Sequence, residues 1–253
     1  MKNLSKILFF ILLATIILAG CNGQTIAPTE MPAPTLTYTP EPTPTITPTP
    51  TKTPIPPTPT VEPPSVLQDY LEDVVVMSTD DFSSSEGWDL WSGKISDGVL
   101  EVEGDKWQGL GKKGTFPEGT GILLNFKYEK DSVFEIYYDY GEWQTDEYRR
   151  FGIYYWETYP RANLWLGKKG LGFNSLTGNL KPNSETWYTL LMVTDKDGEF
   201  LAVIWDNESP GRTAVYHEKN EKWADYIWNL RIGVNKGAII FDDFMEIKFS
   251  GIK

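Results

Sequence analysis

The 253-residue sequence predicts an all-β fold, a two-sheet antiparallel β-sandwich carried on a disordered Thr/Pro stalk. Three observations predict it. Past Asp73, helical periodicity gives way to short apolar runs that alternate with Gly, Asn and Asp turns. About a dozen such runs follow one another with no convincing helix between them, which favours two packed sheets. The ~180 residues beyond that point suffice for one sandwich with a substantial core.

The first element is a leader. Lys2 and Lys6 form a basic start, Ile7 to Leu18 is apolar but too short to span a bilayer, and small residues precede Cys21, the only cysteine of the chain. Leu18-Ala19-Gly20-Cys21 resembles the lipobox of bacterial lipoproteins. The resemblance implies a signal peptide over residues 1–20, cleavage before Cys21, diacylation of its thiol and anchorage on the extracytoplasmic face of the cell membrane. Lipid chains of that kind hold a protein on a membrane without a transmembrane helix. Asn22 follows the cysteine, so the aspartate that retains lipoproteins at the inner membrane of double-membraned bacteria is absent.

Of the 23 basic residues, Lys2 and Lys6 leave with the leader, so 21 remain against 35 acidic ones and the formal charge is about −14. Nucleic acid and anionic headgroups are poor partners for such a chain. With Cys21 committed to lipid no disulfide forms, and the domain must be held by its own core or by a metal.

Residues 21–64 form the stalk. From Ala27 to Pro64 the chain alternates Thr and Pro and offers almost nothing to bury. Proline fixes φ and removes donors, so polyproline II is expected, with a reach on the order of 100 Å. The threonines are of the kind that carry O-linked sugars in such stalks.

The foldable domain spans residues 65–253. Ser65 and Gln68 have capping-box spacing, and Val66, Leu67, Tyr70, Leu71 and Val74 fall on one helical face, which predicts a short helix that caps the domain. Strands are expected at Val99–Glu103 after the Asp97-Gly98 turn, Gly121–Tyr128, Val133–Tyr140, Phe151–Glu157 and Arg161–Leu166, with a polar loop at Trp143 to Arg150. Trp187–Thr194 and Phe200–Trp205 flank Asp197-Gly198, a hairpin signal because Gly takes positive φ. Leu230–Val234 and Ile239–Phe249 close the chain around Asn235-Lys236-Gly237.

Asp80-Asp81-Phe82-Ser83, Gly87-Trp88, Asp97-Gly98-Val99-Leu100, Trp187-Tyr188-Thr189-Leu190 and Ile240-Phe241-Asp242-Asp243-Phe244, taken in that order, resemble the concanavalin A-like lectin/glucanase superfamily. The likeness covers residues 78–250. It implies a β-jelly roll whose concave sheet often meets sugar polymers.

Ten tryptophans lie in the foldable part, and most are expected in the core, where each ring contributes about 1.5–3 kcal/mol. Strand phase sorts the remaining candidates. Phe151, Ile153 and Tyr155 share one face of their strand and Tyr154 and Trp156 the other; Arg161, Asn163 and Trp165 oppose Ala162, Leu164 and Leu166; Glu135, Tyr137 and Asp139 share a face. Side by side these strands would present Glu135, Tyr137, Asp139, Tyr154, Trp156, Arg161, Asn163 and Trp165 on one surface. Aromatic faces stack on pyranose rings while carboxylate, amide and guanidinium groups pair with hydroxyls, so a glycan or polysaccharide is the expected ligand. The same rings would equally serve as cross-strand pairs that cover a sheet.

Two Asp-Asp-Phe sequences sit at opposite ends of the domain. Asp243 is in phase with Phe241, Met245, Ile247 and Phe249, so it points coreward unless a bulge intervenes, and a buried carboxylate needs a partner. A structural calcium ion held with Asp81, or a hydrogen-bonded turn near Asp81, would supply one. No other cofactor is expected.

Glycosidases of the superfamily carry Glu-x-Asp-x-Glu on one strand, and this chain lacks it. Glu135 and Asp139 are four residues apart, about 13 Å in a strand, against the roughly 5–9.5 Å that acid and nucleophile or base require. Glu101 and Glu103 have suitable spacing, but their alternation with Leu100 and Val102 reads as a solvated outer face. His217 reads as a surface residue without a partner at metal or triad spacing, and Gly109-Leu110-Gly111 and Gly170-Leu171-Gly172 as turns. The sequence thus reads as a carbohydrate-binding module. A glycoside hydrolase or lyase and an envelope scaffold without a small ligand are the alternatives; oligomeric state is not encoded legibly.

Overall fold

A computed structural model describes residues 62–156, 159–184 and 186–253. The leader, Cys21 and nearly all of the Thr/Pro stretch lie outside the described residues. The strands are β1 (Leu71–Glu72), β2 (Val75–Asp80), β3 (Trp88–Leu90), β4 (Gly93–Ser96), β5 (Val99–Glu103), β6 (Gln108–Lys112), β7 (Thr120–Tyr128), β8 (Val133–Tyr140), β9 (Arg149–Trp156), β10 (Tyr159–Leu166), β11 (Lys169–Ser175), β12 (Thr177–Gly178), β13 (Tyr188–Thr194), β14 (Glu199–Asp206), β15 (Thr213–Lys219), β16 (Asn229–Lys236), β17 (Ala238–Lys248) and β18 (Gly251–Ile252).

They pair into two large antiparallel sheets. One has seven strands in the order β11-β10-β9-β8-β16-β6-β3; the other has nine, ordered β12-β15-β14-β13-β7-β17-β5-β4, with β2 also paired to β17. The alternation rule explains how they pack. Phe134, Ile136 and Tyr138 of β8 and Phe151, Ile153 and Tyr155 of β9 face inward and meet Ile122, Leu124 and Phe126 of β7 and Phe200, Ala202 and Ile204 of β14 in one buried cluster. The Tyr138 hydroxyl spans the layer and donates to the Met192 carbonyl at 3.1 Å. The expected two-sheet antiparallel sandwich is the observed fold, and the expected strand boundaries fall close to the observed ones.

Several short strands escape the sequence. Gly109-Leu110-Gly111 lies in β6 and Gly170-Leu171-Gly172 in β11, not in turns. Glycine is used there for close approach: a Cβ on Gly109 would sit 1.8 Å from the Ile232 carbonyl oxygen of the neighbouring strand. The Asp97-Gly98 turn has φ of 54° and 76°, the left-handed pair that a tight hairpin between β4 and β5 demands.

The capping helix is shorter than predicted. Ser65–Asp69 forms a 3-10 turn after Pro64, with no side-chain cap from Ser65, and the chain then enters β1, which pairs with β18. Its apolar face is used as expected: Leu67 and Leu71 are buried with Leu123, Leu191, Val193, Leu201, Val203, Trp205, Ile247 and Phe249, on the outer face of the nine-stranded sheet. Double-sided burial explains why β13 and β14 read as continuous apolar runs.

Candidate functional site

The exposed face of the seven-stranded sheet carries the chemistry. Pairing brings Arg161, Tyr154, Glu135 and Gly233 into one row across β10, β9, β8 and β16, and Asn163, Gly152, Tyr137 and Arg231 into the next. Trp165, Arg150, Asp139 and Asn229 form the third. Residues directly opposite share a face, so the rows form one surface. Gly152 lies at its centre: a Cβ there would fall 2.4 Å from Cβ of Tyr137 and 2.9 Å from Oε1 of Glu135. Its lack of a side chain lets these groups close over β9.

The floor is a set of paired charges. Arg150 donates through Nε to Oε1 of Glu135 at 3.0 Å and through Nη2 to Oε2, and Asn163 donates to Oε1 at 2.9 Å. The Arg150 guanidinium lies 3.8 Å from the Tyr137 ring centre, a cation–π contact. Beside it, Arg231 donates through Nε to Oδ2 of Asp139 at 3.2 Å and lies over the Trp91 ring at 5.3 Å. Burial pushes the Glu135 carboxyl above the ordinary carboxylate range, with Arg150 and Asn163 pulling it partly back. Burial likewise raises Asp139, against the pull of Arg231 and Arg150.

Aromatic walls rise around this floor. Trp143, on the loop between β8 and β9, packs on Trp165 at 4.7 Å and on Tyr148 at 5.0 Å. On another side, Tyr154 meets Phe173 of β11 at 4.9 Å and Trp107 at 5.8 Å. Trp107 lies over Gly233, where a Cβ would come within 3.4 Å of its ring. The result is an open cleft of about 670 Å³ lined by Trp91, Trp107, Trp143 and Trp165 above Glu135, Tyr137, Asp139, Arg150, Asn163 and Arg231. Trp165 Nε1 is buried in its wall without a hydrogen-bond partner.

Six of the eight residues expected on one surface line this cleft: Glu135, Tyr137, Asp139, Tyr154, Asn163 and Trp165. Trp156 and Arg161 occupy the same face but lie outside the cleft, toward the β9–β10 hairpin, and both are exposed. The tryptophans divide differently from the expectation: Trp88, Trp205, Trp223 and Trp228 are buried, and four others line the cleft.

The expected surface lacks Arg150 and Arg231. Arg150 falls at the end of the expected polar loop, one residue before the strand expected from Phe151, yet it lies in β9 in phase with Gly152 and Tyr154. Arg231 alternates with the buried Leu230 and Ile232, a period-two signal that would have found it. Trp91, Trp107 and Trp143 come from connections whose direction no strand phase predicts.

Asp81 and Asp243 do not meet the premise set for them. The register between β17 and β7 slips between Phe241 and Phe244, so both phenylalanines stay buried while Asp242 and Asp243 bulge into solvent. Asp243 accepts from Asn125 Nδ2 at 3.1 Å, so it is not the buried carboxylate for which a calcium partner was invoked. Asp81 is exposed and accepts from the Ser83 N–H at 3.0 Å, which with the Ser83 side chain lowers its pKa. Among the described residues no group of three or more His, Cys, Asp or Glu side chains comes together as metal ligands would. Glu101 faces outward on β5 and pairs with Lys94 at 2.7 Å. His217 is exposed, as expected, and its Nε2 lies 2.5 Å from Oε1 of Glu199.

No protein-family model matches the sequence, and no curated protein matches it. Solved structures do match the fold. An endo-acting O-glycanase of human gut microbiota, described as initiating mucin breakdown, superposes with a TM-score of 0.52 at 13% identity, over 70% of this chain and all of that one. A Lotus tetragonolobus seed lectin gives 0.51 at 6%, over 70% and all of each chain respectively. The endo-β-1,3-glucanase of Pyrococcus furiosus gives 0.50 at 11%, over 72% and 98%. The described domain is therefore a jelly-roll β-sandwich of the concanavalin A-like lectin and glucanase fold.

Proposed function

We propose that this chain is a carbohydrate-binding module, lipid-anchored through Cys21 on the extracytoplasmic face, whose concave cleft takes a neutral glycan. The observation that carries the reading is the composition of the cleft: indole and phenol rings stand over a floor whose two guanidinium groups are matched by two carboxylates. Rings stack on sugar C–H faces, fixed polar groups pair with hydroxyls, and a floor without net charge favours uncharged sugars. The names of the structural neighbours, a lectin and two glycan-degrading enzymes, are consistent with it. The anchor rests on the lipobox pattern and the spacer on the Thr/Pro run.

Binding without hydrolysis is the better reading. Glu135 and Asp139 stand four residues apart on one strand, about 13 Å, beyond the separation either hydrolytic geometry uses. Each is also tied to its own arginine.

The test is a glycan and polysaccharide screen with the purified full chain. Binding that falls at least tenfold in Trp165→Ala, survives chelation of divalent cations and releases no reducing sugar is expected. A folded protein that binds no glycan, or sugar release that vanishes in Glu135→Gln, would sink the reading.

A further inference from the structure

The cleft does not end the aromatic surface. Tyr154, itself buried, is the hub of rings that leave the cleft toward the β9–β10 hairpin: Trp107 at 5.8 Å, Phe173 at 4.9 Å and Trp156 at 6.3 Å. Those three are 47%, 48% and 55% exposed, and Tyr159, directly opposite Trp156 across the hairpin, is 63% exposed. The other half-exposed tryptophans of the domain, Trp91 and Trp143, line the cleft itself, so the exposed rings gather on this one face, and such patches mark interaction surfaces. They are also in line with the cleft. Trp165, Asn163, Arg161 and Tyr159 are successive same-face positions of β10, and from the first to the last is about 20 Å at the rise of a strand. That length exceeds one or two sugar rings and suits several linked ones.

Resting on the proposed glycan reading, we propose that Trp156 and Tyr159, with Arg161 beside them, form an outer subsite that holds the continuation of a polysaccharide chain leaving the cleft. The ligand class is thus a polymer, not a terminal mono- or disaccharide. Exposed rings provide stacking platforms, Arg161 offers donors to hydroxyls, and Phe173 and Trp107 flank the passage between the two sites.

The experiment compares trimers and octamers of β-1,3-glucan, β-1,4-glucan, β-1,4-xylan and mucin-type O-glycan chains, titrated against the full chain and a Trp156→Ala/Tyr159→Ala variant by calorimetry. Both positions are exposed, so folding is retained, and circular dichroism checks it. In the wild type an octamer is expected to bind at least tenfold more tightly than its trimer, a difference of about 1.4 kcal/mol. In the variant that ratio should collapse toward one, with trimer affinity unchanged. A ratio that persists in the variant, or octamers no better than trimers in the wild type, overturns the outer subsite and leaves the cleft reading standing. No binding of any chain overturns the glycan reading, and the subsite with it.

Discussion

The two sheets of this sandwich present outer faces of opposite character. The nine-stranded sheet covers part of its outer face with the segment that leads into the domain: Leu67 and Leu71 are buried with Leu191, Val203 and Trp205. The seven-stranded sheet leaves its outer face uncovered yet places on it a Glu135 side chain only 1% exposed, bonded to an arginine and an amide. A carboxylate in that position contributes little stability that an apolar residue would not supply better. One face is therefore built as protein interior and the other as a preformed polar surface, which is the signature of a site and not of a lid awaiting its cover.

Removing Arg150 should break that contrast most severely. Arg150→Met leaves Glu135 buried beside Asn163 alone, and the expected loss is about 3–5 kcal/mol at neutral pH. Urea unfolding at neutral pH and again near pH 4 tests it: the loss should shrink in acid, because a protonated Glu135 no longer needs the cation. A loss below 1 kcal/mol at neutral pH would mean water reaches Glu135 freely.

On the other face, Leu67→Ala removes fully buried apolar contact. An expected cost of about 2–3 kcal/mol, toward the low end for such truncations because the covering segment has room to settle, would show that the N-terminal turn belongs to the fold. Near-zero cost would mean that the cover is dispensable and the faces differ less than they look. Gly152→Ala sharpens the site side. Its Cβ would sit 2.8 Å from the Ile136 carbonyl oxygen as well as against Tyr137, so about 1–3 kcal/mol of stability and most of the glycan affinity should go together. Unchanged binding would show that the floor need not be held closed.

How much of this was legible follows from what each part depends on. Period-two alternation placed Glu135, Tyr137, Asp139, Tyr154, Asn163 and Trp165 on one face, because side-chain direction in a strand is fixed by the backbone alone. Asp243 defeated the same rule, since the bulge between Phe241 and Phe244 adds a residue that no local signal in Ile-Ile-Phe-Asp-Asp-Phe announces. Arg150 was lost to a strand boundary two residues off, and its partnership with Glu135 depends on β8 and β9 being neighbours in register. Trp91, Trp107 and Trp143 lie beyond phase arguments altogether: all three sit in connections, Trp107 at a φ of 60°, and tertiary contacts alone aim them into the cleft.

The smallest expected effect is the most discriminating. Glu135→Gln keeps an acceptor for Asn163 and Arg150 and leaves Arg150, with 12% of its side chain exposed, some access to the open cleft. The cost should be about 1 kcal/mol or less, far below that of Arg150→Met, because the charge left behind sits on Arg150, which keeps the glutamine oxygen and the open cleft, whereas a stranded Glu135 carboxylate has neither. The sign with pH follows from the direction of the Glu135 shift. Burial raises its folded pKa above the ordinary carboxylate value, so the stability it contributes is fully present below that value and is lost as pH rises through the raised one. Glutamine does not titrate, so the difference between wild type and Glu135→Gln should move in favour of the variant as pH rises above the ordinary carboxylate value, until Glu135 is ionised in the folded state. If the variant instead falls further behind as pH rises, the arginine and amide outweigh burial, Glu135 is held below the ordinary range, and the floor is an ion pair that stabilises the fold outright. That outcome would erase the contrast between the two faces, since both would then be accounted for by stability alone.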